Sequence, residues 1–345
     1  MPAFTVSPRP CYAAGMMDIE TLSLGVKAGE RRALARAITL VESGRADHRL
    51  AAEAMINTLL PGRPETIRIG ISGVPGAGKS TFIEAFGLSL IEKGHRVAVL
   101  AIDPSSRRGG GSILGDKTRM SDLARHEQAY VRPTPSGGTL GGVARRTREA
   151  MLLCEAAGFD TVIIETVGVG QSEGAVADLT DMFLLLLLPA GGDELQGIKR
   201  GVMELADLIL VNKADGDLEA AALRTALDYR NALHLVRAKT TAWQTPVLAV
   251  SALNGKGIDE AWAMVEKHRQ ALDAVGERLR RRGEQARAAL WTELGEGLLD
   301  RLRASPAVKA LLPEIEGRVM AGREVPATAA RALLAGFLAG QSGEP

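Results

Sequence analysis

The spacing of hydrophobic positions changes along the chain and divides it into three stretches. Between residues 18 and 62 apolar side chains recur at helical spacing, as at Leu34, Ile38 and Leu50, which predicts amphipathic helices. From Thr66 onward, short apolar runs typical of buried strands alternate with stretches of helical length. The runs are TIRIGIS, RVAVLAID, DTVIIET, MFLLLLLP, DLILVNK and PVLAVSA. After Gly257 only helical periodicity remains.

Strands that alternate with helices predict an α/β fold, in which a mainly parallel sheet is covered by helices on both faces. Helical N- and C-terminal extensions are expected to flank it. The predicted division is a disordered extension over 1–17, a helical appendage over 18–62, the α/β domain over 63–275 and a helical dimerisation region over 276–345. Ligands of such sheets collect at the carboxyl ends of the strands, so functional residues are expected there.

The first predicted strand leads into a glycine-rich loop that fits the pattern G-x-x-x-x-G-K-[ST]. Backbone N–H groups of such a loop, together with the N-terminus of the following helix, bind the β-phosphate of a nucleotide. Lys79 is expected to neutralise β- and γ-phosphate oxygens, and the Ser80 hydroxyl to bind Mg²⁺. The fold is therefore predicted to be that of a P-loop NTPase. The predicted phosphate-binding residues are Gly73, Val74, Pro75, Gly76, Ala77, Gly78, Lys79, Ser80 and Thr81.

The strand run DLILVNK ends in a motif, Asn212-Lys-Ala-Asp215, that can read a guanine base. The Asp215 carboxylate can accept hydrogen bonds from guanine N1–H and the 2-amino group, whereas adenine offers neither donor. Each charge-assisted hydrogen bond contributes about 1.5–3 kcal/mol, which is enough to select GTP over ATP. The base is also predicted to contact Asn212, Lys213, Ser251, Ala252 and Leu253. Lys213 would lie along the face of the base, and the segment from Ser251 to Leu253 would offer a backbone N–H to O6.

Three acidic residues follow predicted strands or glycine runs at the same edge of the sheet: Asp103, Asp116 and Glu165. Mg²⁺ prefers oxygen ligands and keeps several waters, so one or two of these carboxylates can bind it while another orders the attacking water. Which residue does which stays open, and a loop-capping role is the alternative for Asp116. Gly168 is expected to offer its N–H to the γ-phosphate.

The composition of the chain indicates which partners and which cellular compartment to expect. The net charge is +1 and aromatic residues make up 3%, which disfavours a nucleic-acid-binding surface. The two cysteines suit a reducing cytosol. The most apolar run, MFLLLLLPA, is too short to span a bilayer, and no secretory signal is evident. We therefore expect a cytoplasmic protein without a nucleic-acid or membrane partner.

Seven motifs taken together resemble the MeaB/ArgK family, GTPases that act as chaperones of adenosylcobalamin-dependent methylmalonyl-CoA mutase. They are GVPGAGKST, AIDPSS, GDKTRM, TPSGGTLGG, ETVGVGQSE, NKAD and SAL, and the resemblance extends from about Ile19 to Leu338. It implies a GTPase that gates cofactor loading into the mutase and protects it from inactivation. It also implies GTP or GDP and Mg²⁺ as ligands, the mutase as partner, and a homodimer formed by the C-terminal helices.

The loop AGGDELQGIKRG looks like the third switch of that family, and the resemblance implies that Asp193, Glu194 and Lys199 relay the nucleotide state to the mutase. An ordinary strand-to-helix loop with capping acids is the alternative. Glu165 stands where most small GTPases have aspartate, and no glutamine lies beside Gly168, so slow intrinsic hydrolysis stimulated by the partner is expected. The alternative function is a P-loop phosphotransferase, although no base and pocket for an acceptor are evident.

Overall fold

The computed structural model describes residues 19–103, 120–135, 140–166, 173–189, 200–233 and 239–341. The chain forms two compact units, Met1–Arg281 and Arg282–Pro345. The first unit holds the sheet, whose strands are β1 (Ile67–Gly73), β2 (Val97–Asp103), β3 (Ala129–Pro135), β4 (Thr161–Glu165), β5 (Met182–Leu187), β6 (Leu208–Val211) and β7 (Val247–Ala249).

Helices precede, connect and follow these strands in the described residues. Before and between the strands lie α1 (Ile19–Lys27), α2 (Arg31–Glu42), α3 (Ala46–Leu59), α4 (Lys79–Glu92), α5 (Ser121–Arg125), α6 (Leu140–Ala156), α7 (Glu173–Ala177), α8 (Arg200–Leu205) and α9 (Glu219–Leu233). After β7 come α10 (Ile258–Ala274), α11 (Glu277–Ala304), α12 (Pro306–Met320) and α13 (Pro326–Gln341).

The seven strands form one sheet in the order β3-β2-β4-β1-β5-β6-β7, and every described pair is parallel. The predicted α/β fold with a parallel sheet is thus confirmed, and β1 lies at its centre between β4 and β5. The six sequence runs correspond to six of the strands. The seventh, β3, was missed because Pro133 and Pro135 interrupt its pattern. Proline is tolerated there because β3 is an edge strand.

Both faces of the sheet are buried, which explains why its strands read as continuous apolar runs. Successive strand residues point to opposite faces. Ile163 packs with α4 and α10 on one face, while Val162 and Ile164 pack with α2, α3 and α6 on the other. The predicted N-terminal helices therefore contribute to the main core. Leu34 and Ile38 are buried as their spacing suggests.

In the second unit α12 packs against α13, with Val308 and Ile315 buried. The sequence assigns a stripe of leucines on α11 either to internal packing or to a dimer seam; its members are Leu290, Leu294, Leu298 and Leu302. The first three are exposed and Leu302 is half-buried. Among the described residues, no helix combines the length and the apolar character needed to cross a membrane.

A buried polar cluster closes the edge of the sheet at which the strands begin. Asp207 precedes β6, and its Oδ2 accepts a hydrogen bond from the Phe183 N–H at 2.9 Å, while Lys239 Nζ lies 3.0 Å from its Oδ1. His268 on α10 places its Nε2 4.0 Å from the same Oδ1, and that nitrogen has no hydrogen-bond partner. Burial lowers the pKa of His268 to about 4, because the imidazolium would lose its hydration.

This cluster predicts a pH-dependent stability. The unfolded histidine takes up a proton near pH 6.5 and the folded one only at about pH 4, so between these values the unfolded state binds more protons. The free energy of unfolding should therefore fall as the pH is lowered through that window, by on the order of 3 kcal/mol. Urea denaturation at several pH values measures it.

The matched variants are His268→Gln and His126→Gln, the second at an exposed position. His268→Gln should lose most of the pH dependence between 6.5 and 4, whereas His126→Gln should keep it. An identical pH profile in wild type and His268→Gln would show that other groups cause the acid sensitivity.

Candidate functional site

The glycine-rich loop joins β1 to α4 at the carboxyl edge of the sheet. Gly73 is required by a close approach, since a Cβ there would lie 2.3 Å from the backbone oxygen of Leu186 on β5. Gly78 has φ +80°, and its Cβ would lie 2.7 Å from Asn212 Nδ2. The two glycines therefore let the loop lie directly against β5 and the end of β6.

Lys79 begins α4 and folds its amine back over the loop. Its Nζ donates to the backbone oxygens of Gly73 at 2.8 Å and Val74 at 3.3 Å. Because Gly78 precedes α4 and has no side chain, no N-cap side chain covers the N–H groups of the first helical turn. A helix start with a lysine over a loop of N–H groups can bind an anion such as a phosphate.

Ser80 and Glu165 meet beside this loop. The Ser80 hydroxyl donates to Glu165 Oε1 at 3.1 Å, and Glu165 ends β4 as a buried carboxylate. A hydroxyl and a carboxylate are oxygen donors of the kind that Mg²⁺ prefers. These two residues therefore fit the divalent cation that P-loop chemistry requires.

Asn212 at the end of β6 connects the phosphate loop to the segment that follows β7. Its side-chain Nδ2 donates to the Ala77 backbone oxygen at 2.8 Å, and its Oδ1 accepts from the Ala252 N–H at 3.0 Å. Asn212 and Ala77 are buried, as is Ala252, so neither backbone group can turn to water. One amide thus fixes the distance between the two predicted halves of the nucleotide site.

The predicted base-reading residues cluster around this amide. Ser251 Oγ donates to Asp215 Oδ2, which leaves Oδ1 of the carboxylate for another donor. Lys213 has φ +60°, the one left-handed conformation among the described non-glycine residues. Leu253 is 83% exposed in the next segment. An oriented carboxylate beside an exposed apolar side chain is an arrangement that can receive a planar base.

The described residues thus bring together the loop from Gly73 to Thr81, Glu165, and both base-reading segments. The backbone of β2 ends at Asp103 at the same edge, but its side chain is not among those described. The other predicted site residues, Asp116, Gly168, Asp193, Glu194 and Lys199, lie outside the described residues.

Sequence reasoning missed one pair next to the site. Thr166 Oγ1 donates to Ser72 Oγ at 2.7 Å, and both side chains are buried. In the sequence, Thr166 follows Glu165 and Ser72 precedes Gly73, both of them predicted site residues. This adjacency could have pointed to the two residues, although nothing in the motifs indicates that their hydroxyls meet.

Fold and site together define a P-loop nucleoside triphosphatase. A sequence model of one protein family, described as “Methylmalonyl Co-A mutase-associated GTPase MeaB”, matches residues 34–307. The chain belongs to this MeaB family and is a GTPase.

Individual proteins are similar to this chain over most of its length. The chain is 58% identical over 322 residues to a “Putative GTPase” of Caulobacter vibrioides, covering 93% of this chain and 98% of that protein. It is 47% identical to “Methylmalonic aciduria type A homolog, mitochondrial” of Mus musculus, covering 92% of this chain and 79% of the relative. A solved structure titled “Crystal structure of LAO/AO transport system kinase” matches with a TM-score of 0.73 and 40% identity over 93% of this chain and 98% of that one.

Replacing the bridging amide tests the geometry of the site. Asn212→Asp keeps the acceptor for Ala252 N–H but sets a carboxylate oxygen against the Ala77 carbonyl oxygen. Leaving a buried group without its partner costs about 1–3 kcal/mol, so GDP binding should weaken by about tenfold or more. Titration calorimetry with GDP measures the change.

The matched control is Asn231→Asp, the same substitution on the exposed face of α9. Its GDP affinity should equal that of the wild type. If Asn212→Asp also binds GDP as the wild type does, the amide does not hold the site together.

Proposed function

We propose that the protein uses GTP binding and hydrolysis to gate the loading of adenosylcobalamin into methylmalonyl-CoA mutase and to protect that mutase from inactivation. The observation that carries the proposal is the family match, which extends over most of the chain and names the mutase as the associated protein. A relative named after methylmalonic aciduria supports the same connection. The protein is proposed to act in the cytoplasm as a homodimer.

The proposed nucleotide contacts follow from the geometry of the site. The loop from Gly73 to Thr81 would hold the phosphates, with Lys79 as the cation among them. Asp215 would accept from the guanine donors. Ser251 holds Oδ2 of this carboxylate, which orients Oδ1 for a further donor. Lys213 and Leu253 would lie against the faces of the base, and the segment around Ala252 would serve O6.

The Ser80–Glu165 hydrogen bond supports a division of roles at the metal. Because Ser80 gives its hydroxyl proton to Glu165, the lone pairs of Ser80 remain available to a cation. Ser80 would therefore bind Mg²⁺ directly, and Glu165 would orient Ser80 and the surrounding water. Asp103 and Asp116 are the proposed further carboxylates. When bound, Mg²⁺ supplies positive charge to the phosphate oxygens during transfer of the γ-phosphoryl group.

Exposed leucines on α11 support the homodimer. Leu290, Leu294 and Leu298 are 57%, 46% and 60% exposed, although they recur at a helical spacing that would form a continuous apolar stripe. A second copy that covered this stripe would remove it from water. Equilibrium ultracentrifugation, with leucine-to-glutamate changes in the stripe, measures the oligomeric state.

A phosphotransferase remains the second candidate, because the similar solved structure carries the word kinase in its title. The two functions differ in the fate of the γ-phosphate, which goes to water in one and to an acceptor in the other. GTP that is radiolabelled on its γ-phosphate separates them, since a GTPase releases all of that label as inorganic phosphate.

The switch segment provides the direct test of the proposed partner. Lys199 lies outside the nucleotide-binding motifs, so Lys199→Ala should leave intrinsic GTP hydrolysis within a few-fold of wild type. It should reduce mutase-stimulated hydrolysis by about tenfold or more, since such coupling is typically ~1–3 kcal/mol. Hydrolysis is measured with and without the cognate mutase.

The matched control is Lys267→Ala, which removes an exposed lysine of α10. It should be stimulated as fully as the wild type. Equal stimulation of Lys199→Ala would refute the role of that lysine. A wild-type protein that neither binds the mutase nor responds to it would refute the proposed function itself.

A further inference from the structure

The end of β4 is attached to β1 by two hydrogen bonds that the nucleotide motifs do not explain. Thr166, the residue after Glu165, donates its backbone N–H to the Ile71 oxygen at 3.0 Å. Its hydroxyl donates to Ser72 Oγ at 2.7 Å. Thr166 is 0% and Ser72 1% exposed, so this hydroxyl pair is shielded from water and its hydrogen bond has no competing solvent.

Glu165 and Thr166 project to opposite faces of the sheet, because side chains alternate along an extended chain. Ile163, two residues before Glu165, packs in the core on the face that α4 covers, and there Glu165 meets the hydroxyl of Ser80. Ile164, two residues before Thr166, packs in the core on the other face. The strand end is therefore held from both faces at consecutive residues.

Ser72 is on the same face as Thr166 for the same reason. Ile71 packs in the α4 core, whereas Gly70 lies against Val176 and Thr180 on the opposite face. Ser72 also directly precedes Gly73, which closely approaches β5. The hydroxyl pair thus joins the last residue before the phosphate loop to the first residue after Glu165.

We propose that the Ser72–Thr166 hydroxyl pair positions Glu165 for Mg²⁺ and thereby sets the affinity of the nucleotide site for the metal. This inference rests on the proposed role of Ser80 and Glu165 in metal binding. Thr166 and Ser72 lie on the face of the sheet opposite to the Ser80–Glu165 contact and would act through Glu165, so they are positioning residues. Without the pair, the strand end would keep the backbone bond from Thr166 to Ile71 but lose the side-chain bond beside Glu165, and the oxygen atoms that receive Mg²⁺ would be less well ordered.

The test compares two threonines at opposite ends of β4. Thr166→Val keeps the shape of the side chain and removes the hydroxyl. Thr161→Val is the matched control, since Thr161 is also 0% exposed and its hydroxyl also makes one hydrogen bond, to Asp160 Oδ1 at 2.9 Å. Both variants lose the hydrogen bond of a buried threonine, and the bond that Thr161→Val loses is to a carboxylate, so the control should lose at least as much thermal stability as Thr166→Val. Only Thr166→Val should alter metal dependence.

The readout is equilibrium binding of a fluorescent GDP analogue at increasing Mg²⁺ concentration, and again in EDTA. For Thr166→Val we expect the Mg²⁺ concentration at half-effect to rise by about five- to tenfold, the factor that the loss of one hydrogen bond corresponds to. Binding in EDTA should stay within about twofold of wild type, because base and phosphate contacts are retained. Thr161→Val should match the wild type in both measurements.

Two further variants make the result decisive. Thr166→Ser retains the hydroxyl and should restore the wild-type Mg²⁺ dependence. Ser72→Ala removes the other member of the pair, and it should shift the Mg²⁺ dependence in the same direction even if Thr166→Val fails to fold. The double variant should be no worse than the more affected single variant, because both changes remove the same bond.

The outcomes separate this inference from the proposed function. If Thr166→Val and Ser72→Ala respond to Mg²⁺ as Thr161→Val does, the hydroxyl pair is merely structural and the positioning role is overturned. If the wild type binds the GDP analogue equally well with Mg²⁺ and in EDTA, the metal role of Ser80 and Glu165 fails, and the positioning role fails with it.

Discussion

The Asn212 side-chain amide holds together the two segments that are predicted to form the nucleotide site. It donates to a carbonyl of the phosphate loop and accepts from an N–H of the segment after β7. These partners are 135 and 40 residues away along the chain. They come within reach because β1, β5, β6 and β7 are successive neighbours in a parallel sheet, so their carboxyl ends share one edge.

Near this amide, two positions of the phosphate loop have room only for glycine. Gly73 accommodates the β5 backbone, and Gly78 leaves room for Asn212 itself. The backbone turns sharply after Asn212, and Lys213 takes a left-handed conformation that costs of order 1–3 kcal/mol in a non-glycine residue. Such strain persists where surrounding contacts over-determine the conformation, and the two hydrogen bonds of Asn212 supply contacts of that kind.

The sequence predicted the elements of this architecture well, because each is a local pattern. Six strands, the loop and the helical ends could all be identified from periodicity and motif context. It did not predict β3, whose prolines only an edge position tolerates. It also placed Leu50 on the apolar spacing of an N-terminal helix, yet Leu50 is 69% exposed. Helical periodicity alone does not say where the neighbouring layer ends.

The candidate site was predictable by residue type but not by contact. The motifs name Asn212, Asp215 and Ser251, whereas the bridge of Asn212 and the bond from Ser251 to Asp215 join distant segments and need the folded sheet. The Ser72–Thr166 pair has the same origin, since each hydroxyl acquires its meaning only through strand register. Some predicted site residues, such as Asp116 and Lys199, lie outside the described residues. The roles that sequence and resemblance suggest for them remain proposals.

We propose that this framework orients one carboxylate, that of Asp215, to read guanine. The most direct measurement is competition between GTP and xanthosine triphosphate for the Asp215→Asn variant. An amide in place of the carboxylate can donate to xanthine O2 but can no longer accept from both guanine donors. We expect the variant to prefer xanthosine triphosphate, whereas the wild type should prefer GTP. An unchanged preference for GTP in Asp215→Asn would contradict it, because the base would then be read elsewhere.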